Sequence, residues 1–290
     1  MMWGLFIPQF PEDHVQALNS LSKGLSARGI KHFCTGLRYE PCDIAVVFGT
    51  GKKAVPASWP RGEIIKCHRS LNKNVLIIEK GFVKRDKYFH LGWNGLNGRA
   101  NFLNESMKPD RWSLLKTKLV SWQEPRKGGV VIVCGQVPWD ASVQHSDHLD
   151  WCSETIAILR ATTSRKIVFR PHPVIEGKVD YGVAGVEESK RDIENDFSRA
   201  HAVVTFNSNV GVEAVIRGVP VFTADKGAMA LGVSNTDLSN IENPSTFPRQ
   251  KWANDLAYAQ WTLGEMAQGL PIVHLTRRIA SDGKTESRVS

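Results

Sequence analysis

VVIVCGQ at residues 130–136, KIVFRPHP at 166–173 and AVVTFNSNVG at 202–211 are the stretches that decide the fold of this chain. Each is a short apolar strand that ends in Gly, Pro or polar residues, and the segments between them carry apolar residues at helical spacing. Strands that alternate with helices in this way form a parallel sheet with right-handed crossovers, which predicts a Rossmann-like unit. The expected helices cover about residues 146–161, 190–200 and 210–218, and a fourth strand covers 219–223.

The first half of the chain shows a less regular alternation. A strand is expected at Trp3–Ile7, followed by a helix whose apolar residues recur at Val15, Leu18, Leu21 and Leu25. Three further apolar runs are separated by Gly, Pro and Ser, the pattern of a sheet covered by helices or loops. These runs, each expected to be a strand, lie at residues 43–48, 63–67 and 74–79.

Composition marks the boundary between the two halves. A helix expected at about residues 110–122 leads into QEPRKGG at 123–129, where Pro, Gly and charged residues cluster. We predict an α/β protein of two domains, residues 1–127 and residues 128–290. In the second domain, an amphipathic helix over about 250–267 is expected to pack back across the junction.

The overall composition describes an ordinary globular chain. Its 290 residues are 42% hydrophobic and 23% charged, which excludes a collagen-like or wholly disordered protein, and only residues 276–290 form a polar tail that we expect to be disordered. The apolar runs are far shorter than the roughly 20 residues that a membrane-spanning helix needs, so we expect a cytoplasmic protein. Five cysteines without a C-x-x-C pair indicate reduced thiols rather than a disulfide framework or a zinc site.

Charge is distributed unevenly along the chain. Residues 1–127 carry 21 Lys and Arg against 10 Asp and Glu, whereas residues 128–290 carry 16 against 19. This asymmetry suggests two units with different partners, the basic one facing an anion such as nucleic acid, a membrane surface or an acidic polymer. A basic surface that only keeps the protein soluble explains the same counts.

Polar residues follow the first two strands of the Rossmann-like unit, at the edge where such sheets bind ligands. After the first strand, Gly135 allows a tight exit, and Asp140 either accepts a proton from a substrate or serves as a helix cap or turn residue. After the second strand, prolines on both sides of His172 fix the backbone. Arg170 and His172 then suit the binding of a phosphate or carboxylate, unless the tetrapeptide is only a rigid turn.

The loop after the third strand, FNSNVGVEAVIRG at 206–218, is the most specific of the three. Ser208 or Asn207 can cap the following helix, whose backbone N–H groups and positive dipole end favour a phosphate. Gly211 allows a ligand to approach closely. Glu213 either accepts hydrogen bonds from ribose hydroxyls or stabilises the helix dipole, and the sequence leaves both roles open.

The order of these motifs, GQVxxDAS, RPHP and SNxGxEAxxxGxPV, resembles the nucleotide-binding half of GT-B glycosyltransferases, in particular the capsular polysaccharide Kdo-transferase group. The resemblance covers about residues 128–225. It implies a GT-B-like enzyme of two Rossmann-like domains with the active site in the cleft between them. The nucleotide sugar is then held mainly by the second domain.

The resemblance also implies roles for single residues. Asp140 takes the place of the catalytic carboxylate, and we assign His172 to the catalytic machinery with it. The residues expected around the phosphate and nucleotide of the donor are Gly135, Gln136, Arg170, His172, Asn207, Ser208, Asn209, Gly211 and Glu213. The first half carries no motif of the family, so the resemblance leaves the acceptor and the sugar open.

Sugar transfer from a nucleotide leaves negative charge on the departing phosphate, and without a metal the protein must stabilise it with fixed dipoles and cations. The helix after the third strand, together with Arg170 and His172, can do so. No D-x-D tripeptide, of the kind that holds a divalent ion beside a sugar nucleotide, occurs in the chain. We therefore predict a metal-independent enzyme with no cofactor beyond the nucleotide sugar as co-substrate.

The segment EKGFVKRDKYFHLGWNGLNGRANF at 79–102 interleaves cations with aromatic rings. Cations suit phosphates and flat rings suit bases, a combination typical of nucleic-acid grooves. The same rings can instead form a core beneath a solvated lysine face. The residues expected to contact an acceptor are Lys80, Lys84, Arg85, Lys87, Trp93 and Arg99.

Three hypotheses about the substrate follow. In the preferred one, the enzyme binds DNA and places a sugar on a hydroxymethylated pyrimidine of phage DNA, flipped out of the duplex toward Asp140 in the host cytoplasm. The second keeps a capsule-type acceptor, a saccharide or glycolipid whose phosphates or carboxylates explain the positive domain. The third is a nucleotide or nucleic-acid binding module without catalysis.

Overall fold

The computed structural model describes residues 1–51, 59–124 and 126–277. The chain folds into two compact units: the first combines Met1–Met107 with Asp255–Ser290, and the second is Lys108–Asn254. Each unit is built on one sheet with helices beside it. The predicted class, α/β with two sheet-based units, is confirmed.

The sheet of the first unit is made of β1 (Trp3–Phe6), β2 (His32–Thr35), β3 (Ile44–Phe48), β4 (Asn74–Lys80), β5 (Tyr88–Trp93) and β11 (Gln260–Thr262). The strands lie in the order β11-β5-β4-β3-β1-β2. Strands β1 to β4 are mutually parallel, whereas β5 runs antiparallel to both β4 and β11. Every residue of β1 and β3 is buried, as expected for parallel strands covered on both faces.

Two helices cover the two faces of this sheet. Helix α1 (Glu12–Ala27) buries Leu18 and Leu21 in the cluster on one face of the sheet. Helix α2 (Trp59–Ser70) buries Ile64 in the cluster on the other face. The apolar stripe of each helix therefore fixes its position on the sheet.

The run at residues 63–67, predicted to be a strand, lies inside α2 instead. Its buried residues Ile64, Ile65 and His68 recur at positions i, i+1 and i+4, which is one face of a helix. A window of five residues is too short to distinguish this period from the alternation of a strand.

The final helix predicted over 250–267 is also wrong. Helix α7 (Gln250–Tyr258) ends before β11, and α8 (Leu263–Ala267) begins after it with a capping box. Because β11 pairs with β5 and α8 packs on α1, the chain from Asp255 belongs to the first unit rather than to a domain 128–290.

The sheet of the second unit is entirely parallel. Its strands are β6 (Val130–Cys134), β7 (Ile167–Arg170), β8 (Glu187–Glu188), β9 (Ala200–Thr205) and β10 (Val221–Thr223), in the order β10-β9-β6-β7-β8. The helices are α4 (His148–Thr162), α5 (Ile193–Arg199) and α6 (Val210–Ile216). The predicted alternation of strands and helices is thus confirmed, with ends that differ by a few residues.

The second unit begins before residue 128. The helix expected at 110–122 is only the short α3 (Asp110–Leu114). The extended chain after it is bonded to the end of α6: the N–H of Val120 donates to Ile216 O at 2.9 Å, and that of Gln123 donates to Gly218 O at 2.7 Å. These hydrogen bonds hold residues before 128 to the second unit, which begins at Lys108.

The last described element is helix α9 (Leu270–Thr276). The tail expected to be disordered lies outside the described residues from residue 278 onward. None of the helices in the described ranges combines the length and the apolar character needed to cross a membrane.

Gln260 ties β11 to the loop after β4. Its side chain is fully buried, and its Oε1 accepts hydrogen bonds from the N–H groups of Phe82 at 2.7 Å and Val83 at 3.0 Å. Its Nε2 donates to Val83 O at 3.2 Å. One amide therefore satisfies three backbone groups of a loop that would otherwise be buried without partners.

We expect Gln260→Ala to lower the free energy of unfolding of the first unit by about 2–4 kcal/mol, because each buried N–H that loses its acceptor costs about 1–3 kcal/mol. Urea unfolding followed by circular dichroism measures this change. Gln268→Ala is the control, since the Gln268 side chain is exposed just after α8. A Gln260→Ala protein as stable as the control contradicts the proposed role.

Candidate functional site

Four parallel strands of the second unit end at one edge of its sheet. Cys134, the last residue of β6, pairs with Arg170 of β7 and with Thr205 of β9. Thr205 pairs in turn with Thr223 of β10. The loops after these residues leave the sheet side by side, so the structure brings the three predicted loops together and adds a fourth that contains Asp225.

Two buried amide side chains join the loops after β6 and β9. Gln136 Nε2 donates to Asn207 Oδ1 at 2.9 Å, and the backbone N–H of Asn207 donates to Gln136 Oε1 at 3.0 Å. The backbone of Gln136 is held as well, because its N–H donates to His148 Nε2 at 2.8 Å and its carbonyl accepts from the Tyr181 hydroxyl at 3.0 Å. Such a reciprocal, buried pair fixes both loops in one arrangement.

The loop after β10 adds a carboxylate that no sequence motif revealed. Asn207 Nδ2 donates to Asp225 Oδ2 at 2.8 Å, and the N–H of Gly227 donates to the same oxygen at 2.9 Å. The other oxygen, Oδ1, lies 3.3 Å from His145 Nε2. The Asp225 side chain is 9% exposed and that of His145 is 42% exposed, so a buried carboxylate faces a histidine that reaches the surface of the unit.

Asp140 lies in a turn between β6 and α4. Its Oδ1 accepts hydrogen bonds from both the N–H and the hydroxyl of Ser142, each at 3.0 Å. Asp140 is therefore a turn residue and not a helix cap, because the N-cap of α4 is Asp147. Ser142 also connects this turn to the amide pair, since its carbonyl accepts from Asn207 Nδ2 at 2.9 Å. The catalytic role of Asp140 stays a prediction.

His172 follows β7 between its two prolines. The backbone N–H of Val174 donates to His172 Nδ1 at 3.3 Å, which places the ring hydrogen on Nε2. This is the form of a neutral histidine that can donate to an anion through Nε2. The backbone N–H of His172 also contacts the Tyr181 hydroxyl at 3.4 Å, so the loop after β7 shares Tyr181 with the loop after β6.

Arg170 has a structural partner. Its Nη1 donates to Asp196 Oδ2 at 2.8 Å and to the carbonyl of Arg191 at 2.6 Å. Asp196 is fully buried at the start of α5 and also accepts from the Ser189 hydroxyl. Arg170 thus holds β7 to the loop and helix that follow β8, and its contact with a donor phosphate stays a prediction.

Two glycines that we expected beside a ligand serve packing. A Cβ at Gly135 would lie 2.7 Å from the ring of Phe169 and 2.8 Å from that of Tyr181. A Cβ at Gly211 would lie 3.3 Å from Thr205 Cγ2, so the glycine brings α6 close to β9. The small residue at each position is therefore explained by neighbouring side chains.

The polar residues at the start of α6 bond mainly to one another. The predicted cap by Ser208 or Asn207 is wrong, because the N-cap of α6 is Asn209 and its side chain makes no capping hydrogen bond. Ser208 Oγ does accept from the N–H of Val210 at 3.3 Å. Asn209 Nδ2 donates to Glu213 Oε1 at 3.0 Å. All of these except Asn207 are half-buried, and their contacts with phosphate or ribose stay predictions.

His148 carries a strongly shifted pKa. Its ring is buried, stacked on Trp151 at 5.2 Å and packed against Phe206 at 5.7 Å. Burial lowers the pKa of His148 to about 4. The neutral ring agrees with its hydrogen bond, because only an unprotonated Nε2 accepts from the Gln136 N–H.

The predicted acceptor residues of the first unit fall into two groups along the sheet. Along the antiparallel ladder of β4 and β5, Lys80 pairs with Phe89 and Leu76 pairs with Trp93. Lys80 and the exposed loop residues beyond it therefore lie at one end of this strand pair, and Trp93 lies at the other. The first group is Lys80, Lys84, Arg85 and Lys87, and the second is Trp93 and Arg99.

The expectation that aromatic rings line an acceptor groove is wrong for Trp93. Its side chain is buried, its ring lies 5.9 Å from that of Trp3, and its Nε1 donates to Leu275 O at 3.1 Å. The rings of Phe82, Phe89 and Phe102 are buried too. They form the core beneath the basic residues, because β5 lies inside the sheet between β4 and β11.

Two residues at the carboxyl edge of the second unit's sheet, Asp225 and His145, belong to none of the sequence motifs. Asp225 is the second residue after the strand predicted at 219–223, so inspection of this fourth strand exit would have found it. His145 belongs to no motif, and only the folded loops bring it to Asp225. In the part of the chain that the structure describes, no group of three His, Cys, Asp or Glu is placed to hold a metal ion.

The chain is similar in sequence to one protein family and in fold to solved structures. Residues 113–231 match the sequence model of a family described as capsule polysaccharide biosynthesis protein. The fold is similar to that of Thermosulfurimonas dismutans KpsC, beta Kdo 2,4 transferase, with 14% identity, 89% of this chain and 90% of that chain covered, and a TM-score of 0.58. The fold is also similar to that of Thermosulfurimonas dismutans KpsC, beta Kdo 2,7 transferase. The identity is 15%, 95% of this chain and 99% of that chain are covered, and the TM-score is 0.55.

These likenesses establish the fold. At such low identity they show a GT-B architecture, as the motif order predicted, while the family model covers the three motif loops and the network around them. Among curated proteins, none matches this chain.

We expect the second unit to lose stability as the pH falls from about 6.5 to 4. Within this window the unfolded His148 takes up a proton and the folded one does not, which costs up to about 3 kcal/mol. Urea unfolding at pH 7.5, 6 and 5 measures the loss. The variant His148→Gln removes the group and should show a flatter pH dependence, and equal slopes for both proteins contradict this origin.

Proposed function

We propose that this protein is a glycosyltransferase that moves a sugar from a nucleotide sugar to a hydroxyl group of a capsule-type saccharide or glycolipid. The observation that carries the proposal is the network of Gln136, Asn207 and Asp225. It lies at the carboxyl edge of a parallel sheet, where sheets of this kind bind nucleotides. All three residues fall within the segment 113–231 that matches the capsule polysaccharide family.

The donor is proposed from the same comparisons. The two solved structures compared above are named as beta Kdo transferases. Nucleotide-activated Kdo is therefore the first donor that we would test, and other nucleotide sugars follow it in a panel.

In the proposed reaction, the bond between the anomeric carbon and a phosphate oxygen breaks, and its electron pair remains on the phosphate. His172 Nε2 and the polar start of α6 at Ser208 are the groups that we assign to this charge. Asp140 is assigned to the sugar side of the site, where a carboxylate can act on the reacting carbon or on the incoming hydroxyl. Arg170 supports the site through its ion pair with Asp196.

A capsule-type acceptor is better supported than a DNA base. The DNA hypothesis needed exposed rings among the cations of residues 79–102, and four of those rings are buried. Neither the matched family nor the two solved relatives is named for an action on DNA. The exposed residues Lys84, Arg85 and Lys87 suit the acidic groups of a saccharide or glycolipid equally well.

The test is a transfer assay read by mass spectrometry. The protein is incubated with the panel of nucleotide sugars and with capsule-type oligosaccharides, glycolipids, hydroxymethylated DNA and unmodified DNA. We expect a mass increase of one sugar on a saccharide or glycolipid. Transfer to DNA alone supports the hydroxymethylated-base hypothesis instead, and no product on any acceptor contradicts an enzymatic role.

We expect Asp140→Asn to lower kcat by at least about 100-fold while the donor still stabilises the protein in a thermal shift assay, because only the reacting charge is removed. Asp150→Asn is the matched control, since Asp150 is exposed in the first turn of α4. Loss of donor binding in Asp140→Asn, or full activity of this variant, argues against the assigned role.

A further inference from the structure

The candidate site holds a carboxylate and a histidine, Asp225 and His145, that the reaction outlined above leaves without a role. Resting on the proposed glycosyl transfer, we propose that His145 is a catalytic base that takes the proton of the acceptor hydroxyl, and that Asp225 is the residue that positions it. Three features carry the proposal: the way Asp225 is held, the nitrogen of His145 that faces it, and the exposure of the His145 ring.

Asp225 is held in one orientation. Its Oδ2 accepts from Asn207 Nδ2 at 2.8 Å and from the N–H of Gly227 at 2.9 Å, and Oδ1 is directed at His145. The side chain is only 9% exposed. A buried carboxylate needs hydrogen bonds or a cationic partner, and here two donors fix one oxygen while the other faces the histidine.

The contact decides the protonation of the histidine ring. His145 Nε2 lies 3.3 Å from Asp225 Oδ1, and since an ionised carboxylate only accepts hydrogen bonds, Nε2 carries the hydrogen. In the neutral ring Nδ1 is then the nitrogen that takes up a proton. This is the arrangement in which an aspartate sets the tautomer of a histidine and stabilises the imidazolium that forms.

The ring is placed where a substrate can reach it. The His145 side chain is 42% exposed, whereas its partner Asp225 is buried. Its ring packs at 5.8 Å against Phe206, which directly precedes the amide pair residue Asn207. The loop after β9 therefore fixes both the ring of His145 and, through Asn207, the carboxylate behind it.

In the proposed step, one bond forms and one bond breaks at the anomeric carbon of the sugar. The acceptor oxygen forms a bond to the anomeric carbon, its proton passes to His145 Nδ1, the bond from that carbon to the phosphate oxygen breaks, and the phosphate keeps the electron pair. The imidazolium formed on His145 is paired with the Asp225 carboxylate. Asp140 keeps the role on the sugar side of the site that is proposed above, and its Oδ1 accepts two hydrogen bonds from Ser142.

The test compares steady-state kinetics of His145→Gln, His145→Ala and Asp225→Asn with the wild type. For His145→Gln we expect kcat to fall by about 100-fold and the KM of the donor to change by less than about threefold, as for loss of a base. Free imidazole should restore His145→Ala at least about tenfold. Asp225→Asn should lower kcat at least about tenfold without such rescue, because its histidine is present but misplaced.

His32→Gln is the control, since His32 lies in β2 of the first unit. Full activity of His145→Gln, or a loss of His145→Ala activity that imidazole leaves unchanged, overturns the role of His145 while the proposed transfer stands. A wild type without product on the whole panel overturns both.

A second measurement determines the tautomer of His145 in the wild-type protein and therefore does not depend on the folding of a variant. Nitrogen-15 NMR of labelled histidines in the wild-type protein should show that neutral His145 carries its ring hydrogen on Nε2 and no hydrogen on Nδ1. The opposite tautomer overturns the pairing with Asp225 whatever the kinetics show.

Discussion

The reciprocal hydrogen bonds between Gln136 and Asn207 are the interaction on which the candidate site depends. They satisfy four polar groups of two buried residues. Loss of either side-chain amide leaves a buried donor or acceptor of the other residue without its hydrogen bond. The remaining donors of Asn207 extend the same contact to Ser142 and Asp225. Two amides thus determine where the loops after β6, β9 and β10 stand relative to one another.

The parallel sheet beneath that network explains why much of it could be predicted. Apolar runs bounded by Gly and Pro located β6, β7 and β9, and the rule that ligands bind beyond the carboxyl ends of such strands pointed to the loops with Gln136, His172 and Asn207. Local patterns contain this information. The pairing of Asp225 with His145 depends on residues 80 positions apart, and no periodicity encodes such a contact.

The errors in the first unit have a similar cause. The aromatic and basic residues of the segment 79–102 suggest a binding surface, because a sequence shows which residues alternate but not which face the core. Trp93 is buried in a core to which α9 and β11, far along the chain, contribute. The supposed single helix over 250–267 hid this strand, since its apolar positions suit a helix as well as a strand followed by a short helix.

The position of β11 also constrains the order in which the protein can fold during synthesis. The second unit is one continuous stretch, Lys108–Asn254, and all its strands are synthesised before Gln260. The first unit begins earlier but lacks an edge strand and the α8 cover until the last part of the chain emerges. The unit that is translated first is therefore the one that is completed last, and its unfinished sheet edge is the surface that a nascent chain must keep from aggregating.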